Sequence, residues 1–295
     1  MARKNQTAGT KDLPVKAAQD PVQKASTQDQ NEIAILRAKT ERKLFMDSMN
    51  GGTLPCLPRE NGFADTEPAK NLITGTVYHG VNAILLKDLQ VRQGYPTAEY
   101  VTVQALDKVN QKLNLGFKDQ VHIKKGEKGF FINFKDNKTN EIKSFALFNL
   151  AQVSDPQKIR DYAAVREYEH REAIKQRMAE AGKEYVPYST KKEGGIIKCS
   201  STKPEEYIGQ YLAAVSSGSQ FKVSEAQAES FKKNTELFLF EKSENGSINP
   251  FKLNILSAQA NKYCKDFLPT INQKQPEQGV THPQQAPKQE MEMCF

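Results

Sequence analysis

The chain has 295 residues, and its 42 Lys and Arg against 35 Asp and Glu give a formal charge of +7. This length allows one large domain or two small ones, and the excess of positive charge favours an anionic partner, nucleic acid before membrane. No apolar run approaches the roughly 18 residues of a membrane-spanning helix, and the polar N-terminus lacks the apolar segment of a secretory signal, so we expect a cytoplasmic protein.

The first 67 residues are predicted to contain one helix between irregular segments. Residues 1–30 are polar and show no periodicity, which is typical of a disordered tail. Residues 31–67 begin with an apolar spacing that predicts a helix, which Gly51 and Gly52 would end, and continue as a proline-containing linker.

Residues 68–154 show the pattern of a small α+β domain. Apolar spacing predicts a helix over residues 83–92, then a strand at 100–103, then a second helix with Leu106, Val109 and Leu113 on one face. Strand-like runs follow, which we expect to form a small antiparallel sheet flanked by the helices.

A lysine-rich segment, residues 124–129, separates two strand-like runs at 121–123 and 130–134. Gly126 and Gly129 permit the backbone conformations that hairpin loops need, so we predict two strands joined by a lysine-bearing turn. Such a turn holds several ammonium groups at one edge, an arrangement that suits phosphate binding. The alternative is a solvated loop without a ligand.

The second half is predicted to begin with a long charged helix, residues 155–182, which Asp155 caps and Pro156 starts. Residues 183–270 are predicted to form a second small α+β region, with helices over 203–215, 224–233 and 257–267 and a hairpin of residues 237–240 and 251–256. Residues 271–295 are rich in Gln and Pro and are predicted to be a disordered tail.

A second hairpin is predicted in the first half, with residues 136–140 as its loop, and it shares one spacing of apolar residues with the hairpin predicted in the second half. The matching sets are Phe134, Ile142, Phe145 and Leu147, and Phe240, Ile248, Phe251 and Leu253. The second region is therefore either a diverged repeat of the first or a chance match between hairpins of equal loop length.

The cysteines and the absence of catalytic motifs argue against an enzyme. The four cysteines (Cys56, Cys199, Cys264 and Cys294) lie far apart and none forms a Cys-x-x-Cys pair, so reduced thiols are the simplest interpretation. The sequence shows no glycine-rich phosphate loop, no cluster of metal ligands and no nucleophile paired with a base. We therefore expect no catalytic residues, no metal and no cofactor.

Four short motifs follow one another between residues 71 and 152. They are Asn71, Gly75, Tyr78, Gly80 and Asn82; then Tyr100, Thr102 and Gln104; then Lys125, Gly126, Glu127, Lys128 and Gly129; and finally Phe148, Asn149 and Gln152. In this order they resemble the N-terminal, single-stranded-DNA-binding domain of ArdC-type antirestriction proteins, which also occurs in TraC-type conjugative primases. Tyr100 stands where the family has tryptophan, and the His-Glu-x-x-His motif that often follows in the family is absent.

The resemblance implies sequence-independent binding of single-stranded DNA by a protein of a mobile genetic element, a plasmid or a phage. The implied roles are antirestriction or protection of incoming DNA, for example during conjugation. Single strands are held by a basic groove and by aromatic rings on which bases stack. The candidate DNA-binding residues are Tyr78 and Tyr100 for stacking, Asn82, Thr102 and Gln104 for hydrogen bonds, and Lys124, Lys125, Lys128 and Lys135 for phosphates.

Each of these candidates has a structural alternative. The tyrosines could be core residues, Asn82 and Thr102 could cap helices, and Gln104 could be merely solvated. A second functional hypothesis is a protein–protein interaction module or inhibitor whose work lies in the C-terminal half. Its partner could bind the C-terminal region or the acidic, apolar tip that ends at Phe295.

Overall fold

The computed structural model describes residues 27–135, 142–183 and 195–273. The fold is α+β, as predicted. The helices are α1 (Thr27–Asn50), α2 (Gly80–Gln93), α3 (Val103–Lys112), α4 (Pro156–Glu180), α5 (Pro204–Ser217), α6 (Glu225–Phe240) and α7 (Lys252–Gln273). The strands are β1 (Phe63–Ala64), β2 (Lys70–Asn71), β3 (Glu99–Val101), β4 (Phe130–Lys135), β5 (Ile142–Asn149), β6 (Ile196–Lys198) and β7 (Gln220–Lys222). Most of the two predicted tails lies outside the described residues.

A four-stranded sheet of order β2-β3-β5-β4 contains four residues of the family-like motifs, Asn71, Tyr100, Phe148 and Asn149. Strand β2 pairs with β3 in parallel, and the other pairs are antiparallel. Successive residues of a strand point to opposite faces, and here both faces are covered. Tyr100 of β3 belongs to a cluster with Leu86 of α2 and Leu147 of β5, whereas the next residue, Val101, packs with Val109 of α3.

A second core joins the C-terminal helices to the end of α1. The three-stranded sheet β1-β7-β6 lies in this region, and the cluster contains Phe45 and Leu54 together with Tyr207, Phe221 and Phe231. Residues that precede the four-stranded sheet in the chain thus share a core with residues that follow it. The division of the chain into domains remains a prediction.

The structure corrects the hairpin predicted at residues 237–240 and 251–256. Both runs are helical, at the end of α6 and the start of α7. Helix α6 begins with a capping box formed by Ser224 and Gln227, and its buried positions Ala228, Phe231, Thr235 and Leu239 follow helical spacing. A run of Leu and Phe alone does not distinguish a strand from a buried helix segment. The equally spaced residues of the proposed repeat therefore differ in secondary structure, since Phe134 and Leu147 lie in β4 and β5, whereas Phe240 and Leu253 lie in α6 and α7. The loop predicted at residues 136–140 lies outside the described residues.

Within the described residues, no helix is both long enough and apolar enough to cross a lipid bilayer.

Candidate nucleic-acid interface

The lysine-rich segment forms a tight turn, but it does not join two strands of one hairpin as predicted. Ile123 forms an isolated antiparallel bridge with Val153, while β4 pairs with β5 instead. The turn itself closes through the Glu127 amide, which donates to the Lys124 carbonyl at 3.2 Å. Gly126 has φ of +87°, a conformation that disfavours any residue with a Cβ.

Gln152 holds this turn from the protein side. It lies at the end of a short 3-10 helix (Leu150–Gln152) and is 4% exposed. Its side-chain amide donates to the Glu127 carboxylate at 2.8 Å and to the Lys128 carbonyl at 3.1 Å. Its side-chain oxygen accepts from the backbone amide of Asn149 at 2.8 Å, and its backbone carbonyl accepts from the backbone amide of Lys124 at 2.9 Å. The turn is therefore fixed on both sides by one buried residue.

Asn110 of α3 anchors the chain that leads into the turn. Its side chain donates to the Val121 carbonyl at 2.9 Å and accepts from the Val121 amide at 2.8 Å. His122 exchanges backbone and hydroxyl hydrogen bonds with Ser154, and Lys158 donates to the Asp119 carbonyl at 3.2 Å. Residues 119–124 are thus anchored by hydrogen bonds to residues 151–158.

We call residues 117–128 the basic strip. It contains four lysines against two acids. Six of its side chains are exposed and either basic or aromatic: Phe117, Lys118, His122, Lys124, Lys125 and Lys128. Val121 is the one residue of the strip that is fully buried, with 2% of its surface exposed. Lys124 also donates to the Ala151 carbonyl at 2.8 Å, which fixes the position of its ammonium group. The strip can therefore offer several positive charges to an anionic chain from a backbone that is held in place.

Tyr100 does not face this surface, and the stacking role predicted for it is wrong. The residue is 0% exposed, and its hydroxyl donates to the Leu86 carbonyl at 2.6 Å. Burial raises the pKa of this hydroxyl, so it stays a neutral donor. The ring is sealed because α2 covers the face of β3 on which Tyr100 lies.

Tyr78 is half-buried and packs edge-on against Tyr100, with ring centres 6.5 Å apart. Burial raises the pKa of Tyr78 to about 12. The ring contributes to the core from one side, and its binding of a base remains a prediction. A slot formed by the two predicted tyrosines and the lysine turn is absent, because one of the two rings is wholly inside.

The other predicted residues are spread over three places. Thr102 is the N-cap of α3, where its hydroxyl accepts from the Ala105 amide at 3.1 Å, and Gln104 is exposed in the same helix turn. Asn82 is half-buried in the first turn of α2, past the N-cap position at His79. Lys135 ends β4, but its side chain lies outside the described part of the chain. Of the predicted set, only Lys124, Lys125 and Lys128 are shown to share one surface.

Sequence reasoning missed two aromatic residues, Phe117 within the strip and Tyr95 close to it. Phe117 is 92% exposed, in a turn that the Asp119 amide closes by donating to the Gly116 carbonyl at 2.8 Å. Tyr95 is half-buried, and its hydroxyl has a pKa raised by burial and by the nearby Glu127 carboxylate. No local signal marked Phe117 as exposed, because it follows Leu113 and Leu115 at alternate positions, a spacing that equally fits a buried side chain.

The described residues offer little for metal or thiol chemistry. No group of three or more His, Cys, Asp or Glu side chains in residues 27–135, 142–183 and 195–273 could hold a metal ion. Cys56, Cys199 and Cys264 are buried free thiols. Burial raises the pKa of Cys56 to about 12, which keeps this thiol protonated and unreactive.

Comparison with known families places the strip inside a matched region. Residues 46–184 match the family model described as the N-terminal domain of anti-restriction factor ArdC. This region resembles an ArdC N-terminal domain. The match includes the sheet β2-β3-β5-β4, the lysine turn and all the residues that position it. It confirms the resemblance drawn from the four motifs and extends it on both sides.

Among solved structures, the chain is similar to antirestriction protein ArdC from plasmid R388. The metal-free crystal structure aligns with 13% identity and a TM-score of 0.43, over 79% of this chain and 97% of ArdC. The Mn(II)-bound structure aligns with 14% identity and a TM-score of 0.42, over 80% and 97%. No curated protein matches the sequence.

Proposed function

We propose that the ArdC-like region binds single-stranded DNA without sequence preference, through the basic strip. The observation that carries the proposal is the anchored lysine turn, in which Lys124, Lys125 and Lys128 are exposed on a backbone fixed by Gln152. Binding of a polyanion by lysine depends on charge and position and carries no information about base sequence. The turn therefore supports affinity for phosphates in general.

Replacement of the three lysines tests this proposal. The variant Lys124→Gln/Lys125→Gln/Lys128→Gln should bind all single-stranded oligonucleotides more weakly. The slope of log affinity against log salt should become shallower by roughly 0.7 for each lost phosphate contact. Fluorescence anisotropy with single- and double-stranded oligonucleotides at two salt concentrations measures both quantities.

A matched control is available outside the family-like region. Lys198, Lys233 and Lys262 are also exposed, so their triple replacement by glutamine removes the same net charge from elsewhere on the protein. The control variant should retain the wild-type salt slope. Equal slopes for the wild type and the lysine-turn variant would contradict the proposal.

The biological role that we propose is antirestriction in a mobile element, by protection of incoming DNA. The family of the matched region is described as part of an anti-restriction factor, which supports this role. In cells, the wild-type protein should raise the yield of an unmodified plasmid transferred into a restricting host. The lysine-turn variant should lose this effect, whereas transfer into a host without the restriction enzyme should not depend on either protein.

We further propose that the protein binds without catalysis. The described residues lack a metal-ligand cluster, and the described thiols are buried. Incubation of labelled single- and double-stranded DNA with the protein and Mg²⁺ or Mn²⁺ should leave the DNA intact. Metal-dependent cleavage that stays with the protein through successive purification steps would contradict this part.

Protein–protein interaction through the C-terminal half is a second candidate. It is favoured by the outer surface of α6, where Leu237 is 63% exposed and Phe240 is 41% exposed. Arg42 of α1 lies 5.1 Å from the centre of the Phe240 ring, so the apolar surface is bordered by a fixed positive charge. Co-purification with wild-type protein but not with a Leu237→Lys variant would support this candidate. The predicted partner contact at Phe295 lies outside the described residues.

A further inference from the structure

We infer that Phe117 is the residue of the basic strip on which a base of the bound strand stacks. The inference rests on the proposed function, and it replaces the role that the sequence suggested for Tyr100. Phe117 is 92% exposed, whereas the other large apolar side chains in the described part of the chain are 66% exposed or less. A ring held almost entirely in water loses the free energy that burial of an aromatic side chain normally provides.

The turn that carries Phe117 is fixed by its neighbours. The Asp119 amide donates to the Gly116 carbonyl at 2.8 Å, and the Asp119 carbonyl accepts from the Lys158 ammonium at 3.2 Å. Leu115 packs against the core behind the turn. The exposed ring is therefore presented by ordered backbone, and a preorganised ring loses less conformational entropy when a ligand stacks on it.

The charges around Phe117 favour a nucleic acid over an apolar protein partner. Lys118 is the next residue, and Lys124, Lys125 and Lys128 follow in the same strip. Lys124 lies seven positions after Phe117 in the chain, a span of at most about 25 Å of extended chain. Even fully stacked nucleotides rise about 3.4 Å each, so a strand of roughly seven nucleotides or fewer reaches from the ring to the lysine turn.

An exposed flat ring discriminates between nucleic acid forms. An unpaired base can place its face on an aromatic side chain, whereas a base inside a duplex has both faces covered by its neighbours. Stacking is tolerant of sequence because every base has a π face. The lysines provide affinity for phosphates in general, and Phe117 provides preference for the unpaired state.

Tryptophan substitution gives a direct readout, because the chain contains no tryptophan. In the full-length Phe117→Trp protein, saturating oligo(dT) of about 16 nucleotides should quench the single indole. The matched control is Tyr168→Trp on α4, where the aromatic side chain is 65% exposed and flanked by Glu167 and Glu169. The control indole should keep its emission at the same DNA concentration.

Affinity measurements complete the test. Phe117→Ala and Phe117→Leu should both weaken oligo(dT) binding by about 5- to 150-fold, which corresponds to one stacked base, with the salt slope unchanged. Neither variant should alter binding to duplex DNA or to an abasic single strand. Circular dichroism should show that both variants are folded.

The outcomes separate the inference from the proposed function. Unchanged Phe117→Trp emission at saturation, or wild-type affinity for the Phe117→Ala variant, overturns the stacking role even when the lysine-turn variant is weakened. Equal loss of affinity for oligo(dT) and for the abasic strand also overturns it, because a lost stack cannot affect a strand without bases. Failure of the wild-type protein to bind any single strand overturns both proposals together.

Discussion

The core of the C-terminal helical region is built on stacked aromatic rings, whereas the basic strip of the ArdC-like sheet region is held by buried amide side chains. In the helical region, aromatic rings are inside: Tyr207 stacks on Phe231 with ring centres 4.0 Å apart, and both are 0% exposed. The Tyr207 hydroxyl donates to the Cys56 carbonyl at 2.8 Å. In the sheet region, buried amide side chains instead hold irregular backbone at the surface, as Asn110 and Gln152 do.

This contrast shows where a binding surface can be expected. Buried aromatic residues provide stability, and their ring faces are occupied by neighbouring side chains. Exposed chain that is held by buried amides has lost much of its flexibility before a ligand arrives, so less entropy is lost on binding. The basic strip satisfies this condition, whereas the ring of Tyr100 belongs to the first kind of residue although it lies in the sheet region.

The largest effect that we predict is on the helical core. Tyr207→Ala should lower the free energy of unfolding by about 3–5 kcal/mol, as for other large aromatic-to-alanine changes. The ring leaves a cavity against Phe231 and Phe221, and the Cys56 carbonyl loses its donor. Urea denaturation measures the loss. Tyr207→Phe is the control, since it keeps the ring and should cost about 1 kcal/mol; equal losses for the two variants would mean that the packing is not the main contribution.

A smaller effect is expected when the polar anchor of the sheet region is removed. Gln152→Ala should cost about 1–3 kcal/mol of stability, because the buried backbone amide of Asn149 loses its acceptor. It should also weaken binding of single strands, because the lysine turn loses the hydrogen bonds to Glu127 and Lys128. Denaturation and fluorescence anisotropy measure the two effects separately.

An exchange of the two partners sharpens this test. Gln152→Glu keeps an acceptor for the Asn149 amide but places a carboxylate against the Glu127 carboxylate, so the turn should loosen. The double variant Gln152→Glu/Glu127→Gln restores a donor–acceptor pair with the roles reversed. It should recover most of the binding lost by Gln152→Glu, and a double variant no better than the single one would contradict the role of Gln152.

Much of the sheet region could be predicted from sequence because its signals are local. Glycines flanking lysines predict a turn, and Thr102 before an apolar helical pattern predicts the cap that the structure shows. The resemblance to the family was carried partly by Glu127, Asn149 and Gln152. These residues have a physical reason to occur together, because they form one hydrogen-bonded unit around the lysine turn.

The remainder depends on tertiary contacts that the local sequence does not specify. A tyrosine in a strand can lie on a covered or an open face, and only the packing of α2 on β3 decides that Tyr100 is buried. The segment ending at Phe240 has apolar residues that fit both a strand and a helix, and the core around Phe231 selects the helix. The exposure of Phe117 likewise follows from the position of its turn at the edge of a core.

The smallest effect that we predict lies where the two regions meet, at the start of α2. The Val81 amide donates to the Ser257 hydroxyl of α7 at 3.0 Å, and burial and the nearby Lys265 both lower the pKa of His79. The folded protein therefore favours the neutral imidazole. Below the ordinary histidine pKa of about 6.5 the unfolded chain binds this proton more readily, so stability should fall as pH decreases through that value and be unaffected well above it. More than a third of the His79 surface is exposed, which limits the size of the effect.

Thermal denaturation between pH 5 and 8 measures this effect as a decline of the melting temperature at low pH. The decline should be largest for the wild type, smaller for Lys265→Gln and smallest for His79→Gln. Identical pH profiles for all three proteins would show that His79 does not sense the contact between the regions.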